Sequence, residues 1–514
     1  MWNEGYFTEG TYTYGYYREL SPAWQRLCLL ANGYEIPEPG PGSVHCELGF
    51  GQGVSINIHA AAIQGRYFGT DFNPSHALHA NMLCYASGTK ADLRDISFAE
   101  MLEIKDVPQF DSISMHGVWT WISQDNQKRI VEFVRRYLKP GGVFYNSYNC
   151  FPGWAQNHPI RELLTMPDVY ARSGNNAAER ITNALAFAEK AVRANTQYAE
   201  RHKSLVSHLQ VLKKQDPSYL AHEYLNRDWN VMYFTEVAEM LKEAKLDYAC
   251  TASLLDALDN LECMNMPEKA LEFLTGIRHP LLREEMRDYY INRQFREDLY
   301  VKGGLKLTSQ KLLDSLLETK YVIVVPEAEK LECIGYYRTV DFKSELITPI
   351  YNWLKADRSR PRNFTAFAGI HPEIAPVVLS SLLLVMAEQN IIAPCQSEEA
   401  VLAVTPYCCR LNRYLCRRAL YSEDISVLAS PLTGYGFNIG RIQQLFLHFL
   451  WEGKKESVLH KEVWNILKSQ SRNLIKDGKM LETEKENLAE LKEQSKAFLE
   501  KTLPVLKTLR IVSA

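Results

Sequence analysis

The chain has 514 residues, 46% of them hydrophobic and 23% charged; at roughly 100 to 200 residues per domain it holds about two to four globular domains, and neither a disordered nor a fibrous chain fits. Its 58 Lys and Arg against 61 Asp and Glu give a net charge of -3, which offers no attraction for a polyanion and argues against a nucleic-acid partner. The start lacks a cationic segment followed by an apolar one, and the longest apolar stretch, Val377 to Ala387, is too short to span a bilayer, so a soluble, cytoplasmic protein without membrane insertion is expected.

In chain order, the first forty residues are tyrosine-rich (Tyr6, Tyr12, Tyr14, Tyr16, Tyr17) and lead through Leu20, Trp24, Leu27 and Leu30 into an amphipathic helix, with Ser21 and Pro22 suited to its N-cap and first turn. The proline- and glycine-rich stretch from Ile36 to Gly42 cannot continue that helix. Beyond it, strands at Ser43 to Leu48, Tyr67 to Asp71, near Lys90 to Ile96, at Asp111 to Met115 and at Val143 to Tyr148 alternate with helices at Val54 to Gln64, His76 to Ala86 and Gln124 to Leu138. Such alternation predicts βαβ units, hence an α/β fold with a parallel sheet and helices on both faces. Asn157 to about Asn226 is polar and helix-forming, a helical insertion. A helix at Phe234 to Leu246 and strands at Tyr248 to Ala252 and Phe295 to Lys302 then complete the sheet. The charges Arg283, Glu284, Glu285, Arg287, Asp288, Arg293, Arg296, Glu297 and Asp298 read as a solvated helix face. After Gly303 a mixed, largely helical C-terminal region begins, with a strand at Tyr321 to Val325 and a late helix at Thr483 to Glu500 that turns Leu488, Leu491 and Phe498 to one side. The expected divisions are 1–40, a tyrosine-rich lid; 41–156, a nucleotide-binding core; 157–303, the insertion and the end of the sheet; and 304–514, a substrate or partner domain.

The densest chemical signal is Glu47, Gly49, Gly51 and Gly53, directly after a predicted strand and before a helix. Glycines there let the backbone approach a bound ligand. A dinucleotide fingerprint wants its third glycine at position 54, which is Val54, so NAD fits poorly. Asp71, 18 residues past Gly53, ends the second strand, where a carboxylate can accept both hydroxyls of a ribose. The 11 Cys are an odd number with no C-x-x-C, and Cys408, Cys409 and Cys416 lack the spacing of a zinc knuckle, so buried thiols and no metal are expected.

The E-x-G-x-G-x-G turn, the acid ending the second strand and Leu138 to Gly142 (LKPGG) before the fifth together resemble the class I S-adenosylmethionine-dependent methyltransferases. His116 to Trp121 (HGVWTW), Ser147 to Trp154 (SYNCFPGW), Leu220 to Leu225 (LAHEYL) and Phe295 to Leu299 (FREDL) are similar to bacterial members that carry a methyltransferase regulatory domain. Among these are the rickettsial enzymes that methylate lysines of outer-membrane proteins. The resemblance covers residues 1 to 303 by motif and is general beyond, where those enzymes contain a winged-helix-like region. The usual Gly-Cys-Gly-Asn of the turn is here Gly-Phe-Gly-Gln, which spares the glycines. It implies a Rossmann-like sheet and S-adenosylmethionine as cofactor, bound by Glu47, Gly49, Gly51, Gly53, Asp71, Phe72, Ser97, Phe98 and His116. Asp92 and Asp95 are rival polar contacts, and Phe98 with Met101 equally fits the apolar face of a short helix.

Methyl transfer from a sulfonium needs an in-line nucleophile, so positioning and desolvation are the protein's main tasks. A lysine, with a pKa of about 10.4 in water, must be held neutral, which an apolar aromatic cavity favours. Tyr14 with Tyr12, Tyr16 and Tyr17, together with Trp119, Trp121 and Asn149, are the residues placed to supply it, and His116 is a candidate base or hydrogen-bond partner. The tyrosines equally suit a lid packed on the core. The expected partner is a protein with accessible lysines. The alternatives are a small-molecule, glycan or lipid acceptor, or a non-catalytic sensor that binds S-adenosylmethionine.

Overall fold

The structure is a computed structural model that describes residues 5–6, 8, 13–171, 174–194, 196–202, 204–215, 217–258, 267–325, 332–336, 339–341, 344–357 and 360–512. Tyr12 lies outside the described residues. The first helix, α1 (Pro22–Ala31), starts where Pro22 permits, but Ser21 does not cap it: its Oγ donates to the Gly434 carbonyl and ties α1 to the C-terminal half. Then come β1 (Val44–Leu48), α2 (Val54–Ala62), β2 (Arg66–Thr70), α3 (Pro74–Ser87), β3 (Asp92–Arg94), α4 (Phe98–Glu103), β4 (Phe110–Met115), α5 (Gln124–Tyr137) and β5 (Leu138–Asn149). Local chemistry sets the helix starts. Asn73 accepts from the Ser75 N–H ahead of α3, Ser97 and Glu100 close a reciprocal capping box on α4, and Ser123 accepts from the Asn126 N–H on α5.

The seven strands run in the order β3-β2-β1-β4-β5-β7-β6, where β6 is Asp247–Thr251 and β7 is Phe295–Val301. The first five pair in parallel, but β7 is antiparallel to both β5 and β6, so the sheet is mixed rather than wholly parallel. Hydrophobic alternation is the same in either strand direction, which is why the sequence pattern did not distinguish them. Side chains of β5 alternate between two cores. Val143 and Tyr145 join one with α1, α2 and much of the C-terminal region; Phe144 and Tyr148 join the other with α5 and α11 (Phe234–Lys242). The strand order reverses between β1 and β4, and the crevice at their C-terminal ends is where such sheets take ligands.

The insertion forms α6 (His158–Ala171), α7 (Ala177–Arg193), α8 (Gln197–Arg201), α9 (Ser204–Leu212) and α10 (Pro217–Tyr224), packed on their own core of Ile160, Leu164, Ile181, Ala184 and Leu220. After α12 (Glu268–Gly276) and α13 (Pro280–Ile291), the charge cluster departs from its expected role. Glu284, Glu285, Arg287, Asp288, Arg293, Arg296 and Asp298 are buried. Arg296 forks onto Asp288 at 2.7 Å and Asp298 at 2.9 Å, under Phe234 and Tyr248, and the Tyr148 hydroxyl donates to Asp298 at 2.7 Å. Arg296 of β7 thus pairs out of water with Glu284 and Asp288 of α13 and with Asp298 of its own strand.

Beyond Gly304 the chain is largely helical, with short strand pairs such as Val427–Ser430 against Tyr435–Asn438. The helix Glu398–Arg418 lies on α2 and α3; Cys408 Sγ donates to the Ala61 carbonyl at 3.1 Å and Arg410 to the Ser87 carbonyl at 2.7 Å. Among the described residues no helix is long and apolar enough to cross a membrane, and the described cysteines are free, all but Cys395 and Cys409 buried.

Candidate active site

The site begins at the turn that leaves β1. Gly49, Gly51 and Gly53 hold φ of 70°, 54° and 71°, the left-handed region that side chains disfavour. A Cβ on Gly49 would sit 2.6 Å from Val118, and one on Gly53 2.3 Å from the Ala80 Cβ. The turn thus packs tightly on both the β4 loop and α3. Asp71, just past β2, is fixed from three sides: Oδ2 accepts the Gly51 N–H at 2.9 Å, and Oδ1 accepts the Asn73 N–H at 2.9 Å and lies 3.1 Å from His76 Nδ1.

Around these groups lies a cavity lined by Gly49, Gly51, Asp71, Phe72, Ser97, Phe98 and His116, with Tyr6 added from the N-terminal segment. Tyr6 meets Phe72 edge-on, ring centroids 5.5 Å apart. An oriented carboxylate beside a flat apolar slot suits an adenosine, with hydroxyls on the acid and the base between apolar groups. Met101 is core while Phe98, one turn earlier, faces the cavity. Ser97 spends its hydroxyl on Glu100 at 2.8 Å. Gly53 opens α2 and lines neither this cavity nor its neighbour, nor do Asp92, which is paired with Arg94, and Asp95.

A second cavity continues from the first, sharing Gly49, Gly51, His116, Gly117 and Trp121. Its walls are aromatic, from Tyr17, Trp121, Trp154 and Phe295; its polar groups include Asn149, Glu47 and Glu223. The Tyr17 N–H donates to Ser55 Oγ at 3.0 Å, and its ring stacks on the His116 imidazole at 3.7 Å. His116 Nδ1 lies 2.8 Å from the Tyr145 hydroxyl, which donates to Glu297 at 3.3 Å. Burial pulls the His116 imidazole down to about 3, so it is neutral at physiological pH. Burial pushes the Glu47 carboxyl up to about 8, helped by the nearby Asp71 charge, and burial pushes Glu223 up to about 7.

Besides Gly53, three residues expected at the site lie elsewhere. Trp119 is fully buried in the core under α5 and lines neither cavity; Trp121, on the same short turn, takes the position at the junction. Tyr14 packs edge-on against His79 at 5.0 Å and under Arg418, away from both cavities, and the Tyr16 hydroxyl accepts the Gly436 N–H. The N-terminal segment therefore uses alternate tyrosines, some as bolts to the C-terminal half and Tyr17 as a wall. Tyr6, Trp154, Phe295 and Glu223 escaped the sequence reading as site residues, although the last three lie within motifs already singled out.

A family model described as a methyltransferase domain matches residues 46–142, and one described as a predicted methyltransferase regulatory domain matches residues 216–302. The Synechocystis protein sll1526 is 36% identical over 520 residues, covering 99% of each chain. The Rickettsia prowazekii protein RP789 is 28% identical over 304 residues, 57% of this chain and 52% of its own. In three dimensions, PKMT2 from Rickettsia typhi in complex with AdoHcy superposes with a TM-score of 0.71 at 18% identity, over 96% of this chain and 99% of that one.

Proposed function

Because the chain belongs to the class I S-adenosylmethionine-dependent methyltransferases that carry a methyltransferase regulatory domain, we propose that it methylates lysine side chains of a protein substrate. The observation that carries the acceptor class is the second cavity: an aromatic-walled, acid-bearing space that joins the first at His116 and Gly117. The cofactor, when bound, supplies an electrophilic methyl on a sulfonium.

The chain's own residues do the rest. Asp71 receives the ribose hydroxyls, Phe72 and Phe98 flank the base, and the glycine turn lets backbone N–H groups come close. Gly117, with φ of 64° and open space where its Cβ would be, keeps the passage between the cavities clear. Tyr17, Trp121, Trp154 and Phe295 keep bulk water from the acceptor nitrogen, so that its lone pair, once the proton has left, meets the methyl poorly solvated. Their ring faces also attract a methylated ammonium product. Neutral His116, anchored by Tyr145, presents a polar edge without adding a positive charge that would repel the sulfonium. The likeness to rickettsial PKMT2, a protein lysine methyltransferase, supports the same acceptor.

The test is transfer of radiolabelled methyl into a host lysate separated into protein, small-molecule and nucleic-acid fractions. The proposal expects label in protein that disappears when lysines are blocked beforehand. Label confined to small molecules would refute it.

A further inference from the structure

Two acids face the second cavity, and they arrive from opposite sides. Glu47 ends β1 beneath the glycine turn, next to the Asp71 charge, on the donor's side. Glu223 is carried in by α10, the last helix of the insertion, inside the stretch matched by the regulatory-domain model. Among the described residues no hydrogen bond, arginine or lysine reaches the Glu223 carboxyl, and Arg227 on the same segment turns to Asp228 at 2.8 Å. The titratable groups sharing its cavity are Tyr17, Glu47 and neutral His116, with Tyr6 near enough to feel its charge, and none of them is a cation. Glu223 is half-buried against apolar faces, where an unpaired carboxylate gains more from a cationic partner than it would in open water. With aromatic faces on Tyr17, Trp121 and Trp154 around it, the missing partner has the chemistry of an organic ammonium.

We infer that Glu223 is the group that receives the acceptor ammonium, orients it and accepts its proton. This rests on the lysine reading above. In the step, an N–H bond of the ammonium breaks and its proton passes to a Glu223 carboxylate oxygen. The freed lone pair forms the N–C bond to the sulfonium methyl, while the C–S bond breaks and its electron pair stays on sulfur. The methylated ammonium leaves with its charge, and the proton on Glu223 passes to solvent. His116 serves less well as the base. Its Nδ1 is engaged by Tyr145, and burial leaves it weakly basic, whereas Glu223 sits near neutrality, where a base is most effective. The insertion therefore completes the active site instead of merely covering it.

The test is calorimetry on the full-length protein loaded with AdoHcy, using n-butylammonium and n-butanol as probes in mildly alkaline buffer. Wild type is expected to bind butylammonium at least about tenfold tighter than butanol. E223Q should lose that preference while its AdoHcy affinity stays at the wild-type level, and E223D should recover part of it. As a second readout, kcat for methylation of Nα-acetyl-lysine methylamide should shift its rising limb to higher pH in E223Q, while a purely structural role would change the level and not the limb. An unchanged preference in E223Q overturns the assignment of Glu223 and leaves lysine methylation standing. A wild type that prefers butanol overturns the lysine reading and this inference with it.

Discussion

Asp71 is the residue on which the nucleoside site turns. Its carboxylate is already oriented by Gly51, Asn73 and His76, so two ribose hydroxyls meet an acceptor that need not move. Asp71→Ala removes two charge-assisted bonds, at about 1.5 kcal/mol or more each, and should weaken S-adenosylmethionine by roughly a hundredfold in calorimetry. Wild-type affinity would contradict the site. Gly51→Val forces a β-branched residue into the left-handed region and should abolish binding while leaving the far-ultraviolet circular dichroism unchanged. His116 gives a pH test with a definite sign. Burial lowers its pKa to about 3, so the neutral form is present above that value. Its carbon-attached ring protons should show no titration in NMR between about pH 8 and pH 5, and a midpoint near the usual 6.5 would refute burial as the dominant influence. At this scale the sequence exposed the residues whose type is dictated by backbone geometry or strand position: the glycines, Asp71 and His116. It concealed Tyr6, Trp154 and Glu223, since a wall residue is defined by what faces it across the fold. Trp119 and Trp121 show the same thing in miniature. Two residues apart on one turn, they point to core and cavity respectively, a choice that no spacing rule encodes.

Among the elements, α13 and β7 hold the clearest energetic prediction. Arg296 neutralises Asp288 and Asp298 with all three side chains out of water. Arg296→Met leaves the buried Asp298 without a cation and Asp288 with Arg293 alone, and should cost about 3–5 kcal/mol in urea unfolding, whereas removing the exposed Lys128, paired with Asp125 at 3.9 Å, should cost under about 1 kcal/mol. A loss below about 1 kcal/mol for Arg296→Met would contradict the network. The charged pattern looked like a solvated face because α13 alone gives no reason to bury it. The signal lay on β7, where Arg296 and Asp298 share one face of a strand running into the apolar Leu299 to Val301. Element positions in the first half followed from caps and alternation; the direction of β7 did not, because it is set by pairing with distant strands.

For the whole molecule, the sheet and the region beyond residue 304 share one apolar core. Trp24, Val54, Ile58 and Leu299 pack in the same cluster as Leu428, Leu445 and Phe446, and Gln396 donates to the Ala62 carbonyl at 2.8 Å. A fragment of residues 1–303 should therefore expose a large apolar face and aggregate or unfold without cooperativity, as followed by scanning calorimetry. A sharp transition for the isolated fragment would show that the two halves fold independently. That shared core also holds the tyrosine-rich segment, and through it Tyr17, against His116. The central claim is that the joined cavities deliver methyl groups to lysine nitrogen. It is tested most directly by complete acid hydrolysis of the radiolabelled protein fraction followed by chromatography of its amino acids: the label is predicted to run with N-methylated lysines, and label released as volatile methanol from carboxyl esters, or running with any other amino acid, would contradict it.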